Sequence, residues 1–367
     1  MNPLLPILRL VLKILSLILY AVTICAAYGG YVSPDIWAFP SVLTLGLTIL
    51  AGLTFAVGIC WLAARRFIMA GLAAATIAVC WGPVSSVSPL GRSHSPEPGE
   101  RTFTLTSYNI LHGIDLEQPE SKVNRGFSYI ARVNPDIACL QECSSESEMM
   151  GMNPTLADSL TRLYPYRIFD AESGNALMSR YPAREEHSEV TNETGGGAFA
   201  IYSIKMPGGK KLTVINVHLT SYCLTEQERE VVTDIKGVRS AKRSLGEFKG
   251  SIMEKLKVSF RQRAEDSRKL REVIDRIEGP LVVCGDFNDV PASYSLRTVM
   301  GDDMQDAYRE TNLGPTATYN RHRLFFHIDQ ILYRGALRAL DVEKGKQKNS
   351  DHYPLTATFA FTSSIKQ

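Results

Sequence analysis

Charged residues are distributed very unevenly along this chain of 367 residues. The first 85 residues include a single acidic residue, Asp35, and four basic ones, while Leu, Ile, Val and Ala fill three long apolar runs. The runs cover residues 12–28, 40–62 and 67–84. Each approaches the ~20 apolar residues that a helix needs to cross the hydrocarbon core of a bilayer. The sequence therefore predicts a membrane anchor of three transmembrane helices.

The first run has an alternative interpretation as a cleaved secretory signal. Arg9 and Lys13 precede an apolar stretch that ends in small residues around Ala26 and Ala27, as in signal peptides. Two further hydrophobic runs follow at once, which favours spans over a signal. Three spans remain the preferred interpretation.

The basic residues near the span ends predict the orientation in the membrane. Arg9 and Lys13 flank the first run, Arg65 and Arg66 lie between the second and third, and the loop at 29–39 has none. Lys and Arg beside a span are retained on the cytoplasmic side. We therefore expect a multi-pass integral membrane protein whose N-terminus is cytoplasmic and whose remaining chain, after an odd number of spans, is extracytoplasmic.

After the anchor, basic and acidic residues nearly balance, so no overall basic charge draws this part toward polyanions. Four scattered cysteines, Cys139, Cys143, Cys223 and Cys284, do not form a disulfide framework and fit small buried side chains better. Residues 86–101 are rich in Ser, Pro and Gly, which predicts an extended linker.

Residues 102–367 are predicted to form one α/β domain, because short apolar β-rich runs alternate with helical patterns. The predicted strands are 103–111, 137–142, 176–179, 198–205, 211–219, 281–285, 328–333 and 355–361. The predicted helices are 121–133, 155–163 and 224–277. Gly- and Pro-bearing connections such as Pro207-Gly208-Gly209 indicate hairpins, so the sheets should be mixed.

The predicted helix at 224–277 carries an apolar stripe at helical spacing and a basic opposite face. Between Asp234 and Arg271 there are 12 Lys or Arg against 5 Asp or Glu. One interpretation is a solvated helix face. The other is contact with anionic lipid headgroups or with a phosphorylated substrate.

Polar residues stand at the ends of several predicted strands, where α/β folds place their sites. The six places are Ser107-Tyr108-Asn109, Gln141-Glu142, Asn216-Val217-His218, Gly285-Asp286-Phe287-Asn288, His327-Ile328-Asp329 and Ser350-Asp351-His352. Each of these places, taken by itself, fits a purely structural role, such as a helix cap, a core histidine or a turn. Their joint occurrence in one domain favours a site.

These residue types supply what phosphoester hydrolysis requires. Mg²⁺ prefers carboxylate and amide oxygens, which Glu142, Asp351 and Asn109 provide, and we name these three as candidate metal-site residues, with Mn²⁺ as an alternative ion. A carboxylate such as Asp329 that orients an imidazole such as His352 gives a pair able to activate water.

Asp286 and Asn288 lie two apart at the end of one strand and therefore point the same way. One can handle a proton while the other donates hydrogen bonds to phosphoryl oxygens. Together with His352 and Asp329 they are candidate catalytic residues.

The ordered motifs SYNI, QE, GNALMSRYP, NVHL, GDFND, HIDQIL and SDHYP, between residues 107 and 354, resemble those of the endonuclease/exonuclease/phosphatase superfamily. That superfamily includes deoxyribonucleases, apurinic endonucleases, neutral sphingomyelinases and inositol-polyphosphate 5-phosphatases. The resemblance covers about 103–361. It implies a four-layer α/β sandwich with two mixed β-sheets, here preceded by the three predicted spans, and a divalent-metal-dependent active site.

The resemblance also implies roles for individual residues. It places Asn109 and Glu142 at the metal, Asp351 beside the metal and the final histidine, and His352 at the water or the scissile phosphate. His218 falls where nuclease and sphingomyelinase members carry a second histidine, a candidate catalytic proton donor. Asn175 is a candidate substrate-binding residue.

One position departs from the family pattern. Apurinic endonucleases have an acidic residue two positions after the first Asn, where this chain has Leu111. An abasic-site repair role is therefore disfavoured, as it is by the predicted anchor.

We expect a membrane-tethered, Mg²⁺-dependent phosphodiesterase or phosphatase whose substrate is a phospholipid headgroup or another small phosphoester close to the lipid bilayer. The first alternative is an extracytoplasmic nuclease acting on DNA or RNA. The second is a catalytically inactive binding module. No protein partner is inferred from the sequence.

Overall fold

The structure is a computed structural model and describes residues 4–118, 120, 125–147, 154–192, 196–225, 228, 244–321 and 325–362. Its helical N-terminal part comprises helices α1 to α5. They are α1 (Leu4–Tyr28), α2 (Phe39–Leu45), α3 (Leu47–Ala63), α4 (Phe67–Val79) and α5 (Trp81–Val87).

In the described part of the chain, one helix, at Pro6–Tyr31, is long and apolar enough to cross a membrane. Helices α2 and α3 meet at a bend of 64°, and α4 and α5 at a bend of 73°. The number of candidate spans rises to three if each bent pair is one span. The expectation of three transmembrane helices is therefore not confirmed, because only the first run forms one continuous helix of sufficient length and a bend divides each of the other two.

A proline explains the second bend. Pro83 stands four residues after Val79, and a proline there lacks the N–H that the Val79 carbonyl would accept and clashes with that carbonyl. The Tyr28 hydroxyl donates to the Val79 oxygen instead, at 2.7 Å. The first bend lies at Gly46, which ends α2.

The remaining chain forms two six-stranded sheets. One has the order β11-β12-β1-β2-β4-β3, and the other has the order β5-β6-β7-β8-β10-β9. The strands are β1 (Thr102–Asn109), β2 (Ile137–Gln141), β3 (Tyr166–Phe169), β4 (Ala176–Ser179), β5 (Ala183–Asn192), β6 (Gly197–Lys205), β7 (Lys211–His218), β8 (Leu281–Asp286), β9 (Gln305–Asp306), β10 (Asp329–Arg334), β11 (Leu337–Lys344) and β12 (Leu355–Phe361). In each sheet one pair is parallel, β1 with β2 and β7 with β8, so both sheets are mixed as predicted.

Helices cover the outer face of each sheet, which gives four layers. The helices of this part are α6 (Arg125–Val133), α7 (Pro154–Leu163), α8 (Ser244–Ile274), α9 (Tyr294–Met300) and α10 (Ala307–Thr311), and α10 packs against the core between the sheets and not on an outer face. Between the sheets lies a core that includes Phe103 and Phe359 from one sheet and Tyr202 and Val214 from the other. Helices α6 and α7 pack outside the first sheet, and α8 and α9 outside the second.

Asn216 joins the two sheets through hydrogen bonds inside this core. Its side chain donates to the carbonyls of Leu140 (2.8 Å) and Ala176 (3.1 Å) in the opposite sheet. It accepts from Gln141 at 2.6 Å. Asn216 therefore has a structural place between the sheets, although it shares a motif with His218.

The cysteine prediction is confirmed for three of the four residues. Cys139, Cys143 and Cys284 are buried, whereas Cys223 is exposed. The seven cysteines are all free, so no disulfide joins them.

Several basic residues in the described part of α8 make contacts within the protein while their side chains stay partly exposed. Residues 226–227 and 229–243 of the predicted basic stretch lie outside the described residues. In the described remainder, basic side chains from Lys255 to Arg271 make contacts, such as Lys255 with Glu228 at 2.7 Å and Arg271 with Asp303 at 2.7 Å. These contacts favour neither of the two interpretations offered for this face.

The predicted linker follows the surface of the α/β domain. The amide of Arg92 donates to the Glu310 carbonyl at 3.0 Å, and the amide of His94 donates to the Leu340 carbonyl at 2.7 Å. The boundaries predicted at residues 85 and 101 remain predictions.

Candidate active site

The fold brings the ends of six segments to one edge of the sandwich. Strands β1 and β7 end at Asn109 and His218, and their parallel neighbours β2 and β8 end beside Glu142 and at Asp286. Strand β10 runs antiparallel to β8 and begins at Asp329. Strand β12 runs antiparallel to β1, so the segment before it, with Asp351 and His352, reaches the same edge.

A glycine permits the close approach of β7 and β8. Gly285 has a φ of 146°, and a Cβ atom there would lie 1.9 Å from the Val217 carbonyl oxygen. Only glycine fits both conditions. The resulting register places His218 directly opposite Asp286.

Several site residues occupy the left-handed region of backbone space. Glu142 and Asn288 each have a φ of 51°, and Leu111 and His112 have φ values of 52° and 50°. Each such non-glycine residue costs about 1–3 kcal/mol, and this strain is common at functional sites. The strain is carried by the connections that direct polar side chains into the site.

Asn109 links two carboxylates from different sheets. Its amide nitrogen donates to Glu142 Oε1 at 3.0 Å and to Asp286 Oδ2 at 3.1 Å. Its amide oxygen accepts the Leu111 amide at 3.1 Å. In this arrangement Asn109 holds both carboxylates in place with its donor end.

Two imidazoles flank Glu142. His218 Nε2 lies 3.8 Å from Glu142 Oε1 and 3.8 Å from Asp286 Oδ2. His112 Nε2 lies 3.4 Å from Glu142 Oε2, and its side chain is exposed. Burial by itself raises the pKa of Glu142, but His218 and the hydrogen bond from Asn109 outweigh burial and lower that pKa below its usual value. Glu142 is therefore an anionic group at neutral pH.

His352 and Asp329 form the pair predicted from the sequence. His352 Nδ1 lies 2.9 Å and 3.1 Å from the two Asp329 oxygens, and its Nε2 lies 3.4 Å from Asp286 Oδ2. Tyr319 packs edge-on against the imidazole, with ring centroids 5.2 Å apart. The Ser350 hydroxyl accepts the His352 amide at 3.1 Å and donates to the Asn109 carbonyl at 2.8 Å.

The charges of His352 and the two neighbouring carboxylates, Asp329 and Asp286, shift the pKa of His352 and of Asp286. Burial alone lowers the pKa of His352, but Asp329 and Asp286 outweigh it and raise the pKa well above its ordinary value. Burial raises the pKa of Asp286 to about 6, against the opposing effect of His352. At neutral pH the site therefore holds a cationic imidazole beside a carboxylate that can accept a proton.

Asn288 and Asp351 complete the group. The Asn288 amide donates to Asp286 Oδ1 at 2.8 Å, and its side chain donates to the Leu219 carbonyl at 2.9 Å. Asp351 Oδ2 lies 3.9 Å from Arg321. Asp351 Oδ1 is buried and has no hydrogen-bond partner, so this oxygen is available to a ligand.

Asn175 lies just before β4 and is fully buried. Both polar atoms of its side chain lack hydrogen-bond partners. Its neighbours Ser173 and Gly174 line the cavity. Its substrate-binding role stays a prediction.

A cavity of about 850 Å³ opens at this edge. Six of the nine predicted site residues line it, and Asn109 and Asp329 contact those residues from behind. The six are Glu142, His218, Asp286, Asn288, Asp351 and His352.

The donor set fits a hard divalent cation. Glu142 and Asp351 present carboxylate oxygens to the cavity. Asp351 Oδ1 is buried without a hydrogen-bond partner, and a bound cation would satisfy it. Asp286, Asp329 and His352 place one ligand atom each within 4.8 Å of one another, and this buried group is also able to hold a metal ion.

The sequence analysis assigned no role to three residues that support the site. They are His112, Tyr319 and Ser350. His112 follows the strand-end Asn109 by three residues, and Ser350 belongs to the quoted SDHYP motif, so both carried a signal. Tyr319 lies in a loop without a recognisable pattern.

A family model described as "Endonuclease/Exonuclease/phosphatase family" matches residues 106–352, more than half of the chain. The chain belongs to this family. A second family model, described as a domain of unknown function (DUF8431), matches residues 9–87. No curated protein matches the chain.

Solved structures to which the chain is similar include an endonuclease/exonuclease/phosphatase from Beutenbergia cavernae DSM 12333, with 19% identity, 72% of each chain covered and a TM-score of 0.48. Another is D. rerio TDP2 complexed with single strand DNA product, with 17% identity, 70% of this chain and 98% of that chain covered, and a TM-score of 0.46. A third is the human Nocturnin catalytic domain with bound sulfate, with 18% identity, 72% and 98% covered, and a TM-score of 0.46.

Proposed function

We propose that this chain is a Mg²⁺-dependent phosphoester hydrolase, with Mn²⁺ as an alternative ion, tethered to a membrane with its catalytic domain outside the cytoplasm. The observation that carries the proposal is the convergence of Glu142, His218, Asp286 and His352 on one cavity. Hydrolase activity on phosphoester bonds is the chemistry that members of this family share.

Each side chain then has a role in hydrolysis. Asp286 takes a proton from the attacking water, for which a pKa of about 6 is suited near neutral pH. His352, held by Asp329, directs a positive Nε2–H into the site and stabilises negative charge on the phosphoryl oxygens. His218 lies beside both carboxylates and is placed to donate a proton to the leaving oxygen.

The metal would be held by Glu142 and Asp351, with Asn109 supporting Glu142. When bound, Mg²⁺ neutralises a phosphoryl oxygen as charge develops. Asn288 keeps Asp286 oriented through its backbone amide. Asn175 is proposed to face the substrate.

The membrane tether is part of the proposal. Residues 1–85 serve as the anchor, with up to three spans if α2–α3 and α4–α5 each cross the bilayer in bent form. Residues 86–101 form the linker and 102–367 the catalytic domain. The exposed thiol of Cys223 tests the orientation: a membrane-impermeant maleimide should label it in intact cells, and a Cys223→Ser variant is the control. Labelling only after lysis would contradict the orientation.

The substrate class is a phospholipid headgroup or another small phosphoester. A nuclease acting on DNA or RNA is the second candidate, favoured by the position of His218 between Glu142 and Asp286. The full chain in detergent should be offered nucleic acids, phospholipid vesicles and inositol phosphates, with Mg²⁺ and with EDTA. Turnover of plasmid DNA without turnover of phospholipid would reject the phospholipid substrate. No turnover of any of these substrates would reject the proposed hydrolase activity.

A further inference from the structure

The helical N-terminal part and the catalytic domain meet at a contact that we call the anchor seat, formed by the loop 29–38 against residues 261–297. At its centre, Gly30 packs on the backbone of Ala292. A Cβ atom at Gly30 would lie 2.0 Å from the Ala292 carbonyl oxygen and 2.9 Å from the Ser293 carbonyl carbon. Ala292 is buried in an apolar cluster with anchor residues that include Ala26. The seat therefore has no room for a side chain at position 30.

Three arginines of the catalytic domain hold the same loop. Arg268 pairs with Asp35 at 2.8 Å. Arg261 donates to the Pro34 carbonyl at 3.3 Å. The Arg297 guanidinium lies 3.3 Å from the centre of the Tyr31 ring, within the range of a cation–π contact. Polar and steric contacts together fix the loop to the domain.

The anchor seat lies close to the catalytic cavity. Ala292 follows Asn288, which lines the cavity, by four residues, so their Cα atoms are at most about 14 Å apart. Helix α8 also contacts both the anchor seat and the wall of the catalytic cavity. Its buried Arg263 lies 4.1 Å over the ring of Tyr222, a residue of the cavity wall, and donates to the Thr220 carbonyl at 2.9 Å.

The seat also marks the bilayer surface if the anchor spans. Gly30 is at the outer end of the candidate span Pro6–Tyr31. Just beyond it Ile36 is 83% exposed and Trp37 is 59% exposed, and an exposed Trp is typical of the membrane interface. The polar headgroup layer extends only about 5–8 Å beyond the hydrocarbon core. The seat therefore fixes the catalytic domain, and with it the cavity, to the outer end of the candidate span.

We propose that the anchor seat selects the substrate, a lipid-borne phosphoester whose headgroup enters the cavity while its chains stay in the bilayer. This inference rests on the proposed function. Hydrolysis adds the hydroxyl of water to phosphorus, breaks one P–O ester bond and leaves the proton on the departing oxygen. Apolar side chains among the polar cavity residues suit an amphiphile: Leu111, Val190, Leu224, Phe326 and Ile328.

A pair of glycine variants tests the seat. Gly30→Ala inserts a methyl group against Ala292, whereas Gly52→Ala in the same anchor meets nothing within 4 Å and is the matched control. The full chain is placed in nanodiscs of phosphatidylcholine, phosphatidylethanolamine and phosphatidylglycerol, and lipid hydrolysis is followed by ³¹P NMR. A soluble diester, bis(4-nitrophenyl) phosphate, is followed in parallel.

We expect Gly30→Ala to lower lipid turnover at least tenfold and to keep turnover of the soluble diester within twofold of wild type. Gly52→Ala should change neither. Asp35→Asn, which weakens the pair with Arg268 without steric change, should lower lipid turnover in the same direction, and it serves if Gly30→Ala does not fold.

Three results would overturn the inference. Wild type that hydrolyses the soluble diester or nucleic acid but leaves the lipids intact would reject a lipid substrate and keep the proposed function. Equal losses on both substrates in the seat variants would make the seat a support of the fold alone. A wild type that hydrolyses neither substrate nor nucleic acid would reject the proposed function, and this inference with it.

Discussion

The imidazole of His352 and the carboxylate of Asp329 are joined through Nδ1, which lies 2.9 Å and 3.1 Å from the two carboxylate oxygens. This contact orients the ring so that Nε2 faces Asp286 at 3.4 Å. A carboxylate in this position fixes both the orientation and the charge of the imidazole. The hydrolytic role proposed for His352 depends on it.

Asp329→Asn should therefore impair catalysis more than binding. The amide cannot stabilise the imidazolium, so we expect kcat to fall by about 10²–10⁴, as on loss of an acid–base group, with a smaller change in KM. Asp302→Asn, at an exposed position, is the control. Steady-state kinetics on a soluble phosphodiester measures both constants. An unchanged kcat would contradict the orienting role.

Glu142→Gln should weaken Mg²⁺ binding about tenfold or more, because a carboxylate ligand is replaced by a neutral amide. Isothermal titration calorimetry with Mg²⁺ measures this directly, apart from any activity. Glu172→Gln, at the rim of the same cavity, should bind Mg²⁺ like the wild type. Equal affinities for wild type and Glu142→Gln would show that the ion, if bound, is held elsewhere.

Asp306 should make the stability of the fold depend on pH. It caps α10, accepting the Arg309 amide at 3.1 Å, and burial raises its pKa from 3.8 to about 6. The folded state then holds the proton more tightly than the unfolded state. The contribution of this carboxyl to the stability is complete below about pH 4 and is lost as the pH rises through 6, by about 3 kcal/mol in total.

Asp306→Asn keeps a good capping residue without the charge. We expect the variant to unfold at a higher temperature than wild type at pH 8, and the advantage should disappear near pH 4. Thermal unfolding of the full chain in detergent at the two pH values measures the difference. The same shift at both pH values would show that the charge is not the cause.

Asn216→Leu should destabilise the sandwich by about 3 kcal/mol, since it removes the three buried hydrogen bonds that Asn216 makes with Leu140, Ala176 and Gln141. Denaturant unfolding, followed by far-ultraviolet circular dichroism, measures the change in the free energy of unfolding. A loss below about 1 kcal/mol would mean that the two sheets do not depend on this link.

The strongly patterned strands and the residues at their ends could be predicted from the sequence. Strands β2, β7 and β8 are mostly apolar and buried, and β1 alternates Thr with Phe and Leu, so these strands were clear, and the polar residues that end them converge as expected. The family resemblance supplied the order of the motifs and the four layers.

Other elements carry no such pattern. Strand β5, AREEHSEVTN, lies at a sheet edge and consists mostly of polar residues, none of them buried, so it lacked the alternation that predicts a strand. Strand β9 has two residues. The bends that divide the second and third apolar runs depend on local backbone geometry at Gly46 and Pro83, which hydropathy does not register.

The anchor seat was also beyond sequence reasoning. Arg268 and Asp35 are far apart in the chain, and only the folded structure pairs them. The basic face of this helix left two interpretations open, a solvated face and contact with an anionic ligand, whereas the structure gives several of these charges partners within the chain.

The central claim is metal-dependent hydrolysis by the group around Glu142 and His352. Its most direct test is the turnover of bis(4-nitrophenyl) phosphate by the full chain in detergent, with Mg²⁺ and with EDTA, for wild type and His352→Ala. We predict turnover by wild type only with Mg²⁺, and a loss of at least 10²-fold in His352→Ala. Equal turnover by the two proteins, or turnover unaffected by EDTA, would contradict the account.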